Sequence, residues 1–125
     1  MTNCAPEIFG ADPAVIRWAI VRGDTSTIKI EFLDSDEVTY FDTSDWTYRA
    51  SAYDKKTDIL DELVVTASSG FVTITALPEL TSYWGTTYSR SVAELEFDLE
   101  VTIGDVVWTP VIGTISVIGD VSGGL

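Results

Sequence analysis

The chain has no histidine, a single cysteine in 125 residues, and no apolar run near the ~20 residues that a membrane-spanning helix needs. Each shortage removes a class of protein. Without imidazole there is no Ser-His or Cys-His couple to activate a nucleophile, and no histidine ligand for zinc. Cys4 stands alone, so no intrachain disulfide can form and the fold must rest on its core. Basic residues are also scarce. Seven Lys and Arg face 20 Asp and Glu, a formal net charge of −13. Phosphates are held by clustered cations, so nucleic acid and anionic membrane surfaces are excluded as partners. No glycine-rich phosphate loop is present. These absences argue against an enzyme and against a bound cofactor or metal. The opening MTNCAPEIFG has neither a basic start nor an apolar core, and so reads as carrying no secretory signal; the expectation is a chain that folds in the cytoplasm.

What the chain does have is short apolar runs rich in β-branched and aromatic residues, separated by turn chemistry. Strands are predicted over Ala14–Val21, Thr25–Leu33, Trp46–Asp54, Ile59–Ala67, Phe71–Ala76, Ala93–Ile103 and Val106–Ile118. A helical turn is expected after Pro78, and no stretch of ten residues has helical periodicity. The fold class is therefore all-β, an Ig-like antiparallel β-sandwich of about seven strands, with a small barrel as its competitor. One domain over 14–118 is flanked by an extended N-terminal arm, 1–13, and a Gly-rich tail, 119–125, flexible or held by a partner.

The segment AELEFDLEVTIGD, Ala93 to Asp105, alternates almost throughout. Leu95, Phe97, Leu99, Val101 and Ile103 fall on one phase, and Glu94, Glu96, Asp98 and Glu100 on the other. Alternate residues on a strand lie about 6.5–7 Å apart, too far for two carboxylates to chelate one calcium without a loop. That spacing suits an inverting glycosidase, but such an enzyme needs one acid desolvated in a cleft. A full row of acids predicts solvent around all of them, so the row reads as the wet side of a half-buried strand, with docking to a basic partner as the second reading.

Arg22-Gly23-Asp24 spells an integrin-binding tripeptide, yet it lies between two strands, where Gly and Asp make a turn. The loop DSDEVTYFDTSD, Asp34 to Asp45, begins like a calcium loop but has Val38 and Thr39 where such a loop needs a ligand and a glycine; it reads as a polar connection. In TSYWGTTYSRS, the residues Tyr83, Trp84, Tyr88 and Arg90 are of the types that dominate interface hot spots. They either cap the end of the fold or face a partner. Trp46 and Trp108 read as core or sheet-face residues. The first and last strands are apolar on both phases, which points to subunit contacts through Trp18, Ile112 and Ile118.

The runs RGDTSTIKIEFLD, WTYRASAYDKKTDILDELVVT, FVTIT and FDLEVTIGDVVWTPVIGTISVIGDV resemble a family of small Ig-like phage proteins. These come from tail, neck and baseplate regions and include the N-terminal domain of siphophage upper baseplate proteins. The shared features are a G-D-T turn, an aromatic at the head of the next strand, a D-K-K hairpin and a closing G-T-I-S-V. They span about Arg22 to Val121; the Leu77–Ser91 segment is longer and richer in aromatics than the family's usual one. The resemblance implies a non-enzymatic virion component, made in the host cytoplasm, that binds other virion proteins as a homo-oligomer or in many copies. A capsid decoration protein and an Ig-like module that binds a glycan or cell surface are the alternatives.

Overall fold

The computed structural model describes residues 13–32, 43, 45–68, 70–85 and 92–119. The expected arm and tail, apart from Pro13 and Gly119, lie outside these residues, as do Cys4, Tyr88, Arg90 and all of the acidic loop except Thr43 and Asp45. Along the chain the elements are β1 (Ala14–Val21), β2 (Ser26–Glu31), β3 (Thr47–Asp54), β4 (Ile59–Ser68), β5 (Phe71–Ala76), the short helix α1 (Pro78–Thr81), β6 (Val92–Ile103) and β7 (Val106–Ile118). The all-β class and the seven strands stand as expected. Among the described residues no helix is long and apolar enough to cross a membrane.

Hydrogen bonding joins the strands in the order β1-β7-β6-β3-β4-β5-β2, a single mixed sheet. β4 holds its two halves together by changing partner midway. Ile59–Leu63 pairs with β3, and Val64–Ser68 pairs with β5. The two ends of this order, β1 and β2, are consecutive in sequence and joined only by residues 22–25. Such a link spans at most about 18 Å, so the sheet has to curl back over itself. The contacts agree: Trp18 Nε1 donates to Ser26 Oγ at 2.9 Å, and Phe32, just after β2, lies 6.3 Å from Trp108 of β7. One core cluster takes Val72, Ile74 and Ala76 from β5 together with Leu95, Phe97, Leu99, Ile115 and Val117 from β6 and β7.

One expectation needs correction. The sheet is not wholly antiparallel, because β1 runs parallel to β7, Ala14 opposite Val111 through Val21 opposite Ile118. The Arg22-Gly23-Asp24 turn explains this. Gly23 takes φ +93°, Arg22 N donates to Ile118 O at 2.7 Å and Asp24 N to Val21 O at 3.0 Å. The turn ties the end of β1 to β7 and carries the chain across the core instead of folding β2 back on β1. Close approach then matters at Gly113, where a Cβ would stand 2.1 Å from the Ile16 carbonyl oxygen. Further down β7, Leu99 opposes Val111 but Val101 opposes Trp108, so β7 carries an extra residue around Thr109-Pro110. That bulge accommodates a proline, which has no N–H for a ladder.

Candidate interaction surface

Alternation divides β6 cleanly. Ala93, Leu95, Phe97, Leu99, Val101 and Ile103 are buried, while Glu94, Glu96 and Asp98 are exposed and Glu100 is half-buried. The acidic row is thus the solvent side of a strand, as its spacing suggested. Cross-strand register extends that outer face in rows. Val15, Ile112, Asp98, Ser51 and Glu62 form one; Arg17, Thr114, Glu96, Tyr53 and Leu60 the next. Ala19, Ser116 and Glu94 follow, then Val21, Ile118 and Val92.

The first two rows hold apolar side chains that the chain itself does not cover: Val15 is 76% exposed and Leu60 55%. Together with Ile112 and Tyr53 they border an open depression of about 580 Å³ whose floor includes Glu96, Asp98 and Thr114. Lys55 lies 3.6 Å from Glu96 and Arg49 2.9 Å from Glu62, both as exposed pairs. Asp98 is different. Partial burial of its carboxyl raises its pKa above the usual carboxylate value, Glu100 adds to the rise and Arg49 opposes it.

At another edge of the fold, Asp61 accepts hydrogen bonds from Tyr83 Oη at 2.5 Å and from Trp84 Nε1 at 2.9 Å. The Tyr83 hydroxyl is pushed up to about 12, by burial first and then by the bond to Asp61. Trp84 is 2% exposed, and its carbonyl accepts from Arg22 Nε at 2.7 Å. Arg22 is itself buried, so the Arg-Gly-Asp tripeptide is a turn anchored inward and not a protruding adhesive loop. Thr81 of α1 adds a hydroxyl bond to Asp24 O at 2.8 Å. These bonds bring the post-helix segment down onto the β1–β2 turn.

The sequence-predicted interface residues therefore scatter. Trp84 and Trp18 are core residues with no surface to offer a partner. Trp84 is held by Asp61 and Arg22; Trp18 stacks edge-on to Phe97 at 5.6 Å and bonds Ser26. Tyr83 is exposed but tied to Asp61. Ile112 and Ile118 are exposed on the outer face in rows about 20 Å apart along β7. Tyr88 and Arg90 lie outside the described residues. Trp46 and Trp108 are buried, 6.4 Å apart and edge to face.

Sequence reasoning missed Leu60, Tyr53 and Asp98 as members of one surface. Leu60 carried a signal, since Ile59 and Leu60 are adjacent apolar residues on opposite phases of one strand. Among the described residues no three acidic or sulfur ligands gather into a metal site. A small cavity of about 150 Å³ by Asp54, Thr57, Ile59 and Asp61 has both carboxylates engaged, Asp54 with Lys56 N and Asp61 with the two aromatics. Compared with known proteins, the chain matches no family model and no curated sequence.

Proposed function

We propose that this chain is a non-enzymatic structural component of a tailed-phage virion, an Ig-like tail, neck or baseplate accessory module that binds neighbouring virion proteins. The observation that carries the reading is the outward apolar phase of β1 and β7, where Val15, Val21, Ile112 and Ile118 stay exposed. Monomeric proteins usually scatter such residues singly; here they pair across two adjacent strands. The motif resemblance supplies the virion context. The pairing order also supports an Ig-like sandwich: β3-β6-β7 follows the C-F-G order of such folds and β2-β5-β4 the B-E-D order. Incorporation in many copies, each held by a neighbouring virion protein, follows from the same reading.

The test is compositional. Particles purified from the source lysate on a density gradient are analysed by quantitative mass spectrometry against the major capsid protein. A fixed ratio is expected, small for a tail or neck position and large for a decoration protein. Absence from particles overturns the virion reading and favours a free cell-surface or glycan-binding domain.

A further inference from the structure

We propose that the trough on the outer face of β1, β7, β6, β3 and the start of β4 is a docking site for an extended segment of a second, basic protein that presents a lysine or arginine between apolar side chains. The inference rests on reading the chain as a binding module, but not on its place in a virion. Two open depressions, each of about 580 Å³, adjoin at Glu96 and Thr114; one is lined by Lys55, Lys56 and Glu94, and the docking site is the other, whose lining holds Glu96 and Asp98 and no cation. Apolar residues from three different strands border it on opposite sides. Val15 lies opposite Ile112, and Leu60 closes the adjoining row beyond Tyr53. Down the middle run Glu96 and Asp98 at alternate positions.

Charge selects the occupant. Lys55 and Arg49 neutralise Glu96 and Glu62 only through exposed pairs, which contribute little and exchange readily. Among the described residues Asp98 has no close ion pair: Arg49 attracts it from a distance but pairs with Glu62, and Ile112 and Ser51 flank it on the adjoining strands. An exposed carboxylate next to Ile112, with Val15 on the strand beyond, is complementary to a cation on an apolar stem. A second copy of this chain is a poor fit, because apposing two such faces sets acidic rows against each other in a molecule of net charge −13. A cation that reaches Asp98 has Ile112 on one adjoining strand with Val15 beyond it, so apolar side chains next to the cation meet Ile112 and Val15.

The experiment titrates the full-length ¹⁵N-labelled protein with the peptide acetyl-Thr-Val-Thr-Lys-Thr-Val-Thr-amide and, separately, with its counterpart carrying Glu in place of Lys. Amide shifts confined to the surroundings of Val15, Leu60, Asp98 and Ile112, seen with the lysine peptide alone and weakened by added salt, are the expected result. D98N should weaken the lysine peptide at least about tenfold, and V15K, at a position too exposed to disturb folding, should weaken it too. Equal response to both peptides, full affinity in D98N, shifts centred elsewhere, or no response up to the solubility limit each overturn the proposal. Shifts at the same residues that depend on protein concentration without peptide assign the face to a second copy and overturn it as well. Particle composition does not enter this titration, so the docking site and the virion reading fail independently.

Discussion

β6 and β7 are hydrogen-bonded neighbours and share an inner face, yet their outer faces differ. On β6 the outward phase runs Glu94, Glu96, Asp98 and Glu100; on β7 it runs Ile112, Thr114, Ser116 and Ile118. Inward, both strands bury large aliphatic residues to within a few per cent of full burial. Core packing therefore fixes the inner phase of each strand in the same way, and leaves the outer phase to other demands. On β6 that phase answers to solvent. On β7, with β1 beside it, it carries apolar residues that the monomer gains nothing by exposing. The difference teaches that the inner face carries stability and that the outer face of β7 and β1 is the place to look for a partner.

Six substitutions break or sharpen that comparison. Phe97→Ala removes a buried ring that stacks on Trp18, and should cost about 3–5 kcal/mol, read as a lowered denaturant midpoint. Gly113→Ala puts a Cβ against the Ile16 backbone, and should cost on the order of 1–3 kcal/mol. Hydrogen exchange ought to show that loss first in β1, where the strand is attached.

Asp61→Asn tests the link between buried Trp84 and exposed Tyr83, and should cost roughly 1–3 kcal/mol. The same link predicts an alkaline effect. The Tyr83 hydroxyl titrates near 10 when unfolded and is raised to about 12 in the fold. The stability this confers is complete below pH 10 and disappears as pH rises through about 12. Tyr83→Phe should therefore flatten part of the stability decline in that window, measured by urea unfolding at stepped pH.

The smallest effect belongs to the outer row. Glu94→Gln should change stability by no more than about 0.5 kcal/mol. Asp98→Asn should be neutral or slightly stabilising at pH 7, since the raised pKa means that the fold favours the protonated form. That advantage is present in acid and is lost as pH rises through the folded value. A large loss in either variant would show that the acidic face supports the fold, and the contrast with β7 would fall.

Much of the secondary structure was legible because a strand's period of two shows directly in hydropathy. Leu95 to Ile103 against Glu94 to Glu100 fixes both the strand and its buried side. Pro78 marks the helical turn, and Gly104-Asp105 the last hairpin. Neighbour choice was not legible. Nothing in AVIRWAIV says that it runs parallel to β7, because that depends on Arg22 reaching Ile118 and on Gly113 leaving room for Ile16. Tyr83 and Trp84 show the same limit at single-residue scale. They are adjacent aromatics with similar sequence signals and both bond Asp61, yet only the second is buried, where the Arg22 side chain meets its carbonyl and its ring joins the core cluster.

By itself the sequence determined that this protein is all-β, that it has seven strands with nearly these bounds, and which phase of β6 faces solvent. Those properties are set by alternation and turn residues within a few positions of each other. The tertiary structure alone decided the mixed order of the sheet, the burial of Trp18 and Trp84, and the gathering of Val15, Leu60, Asp98 and Ile112 onto one outer face. Each of these joins residues from strands distant in the chain, and pairing across a core depends on which surfaces fit, information that no local pattern carries.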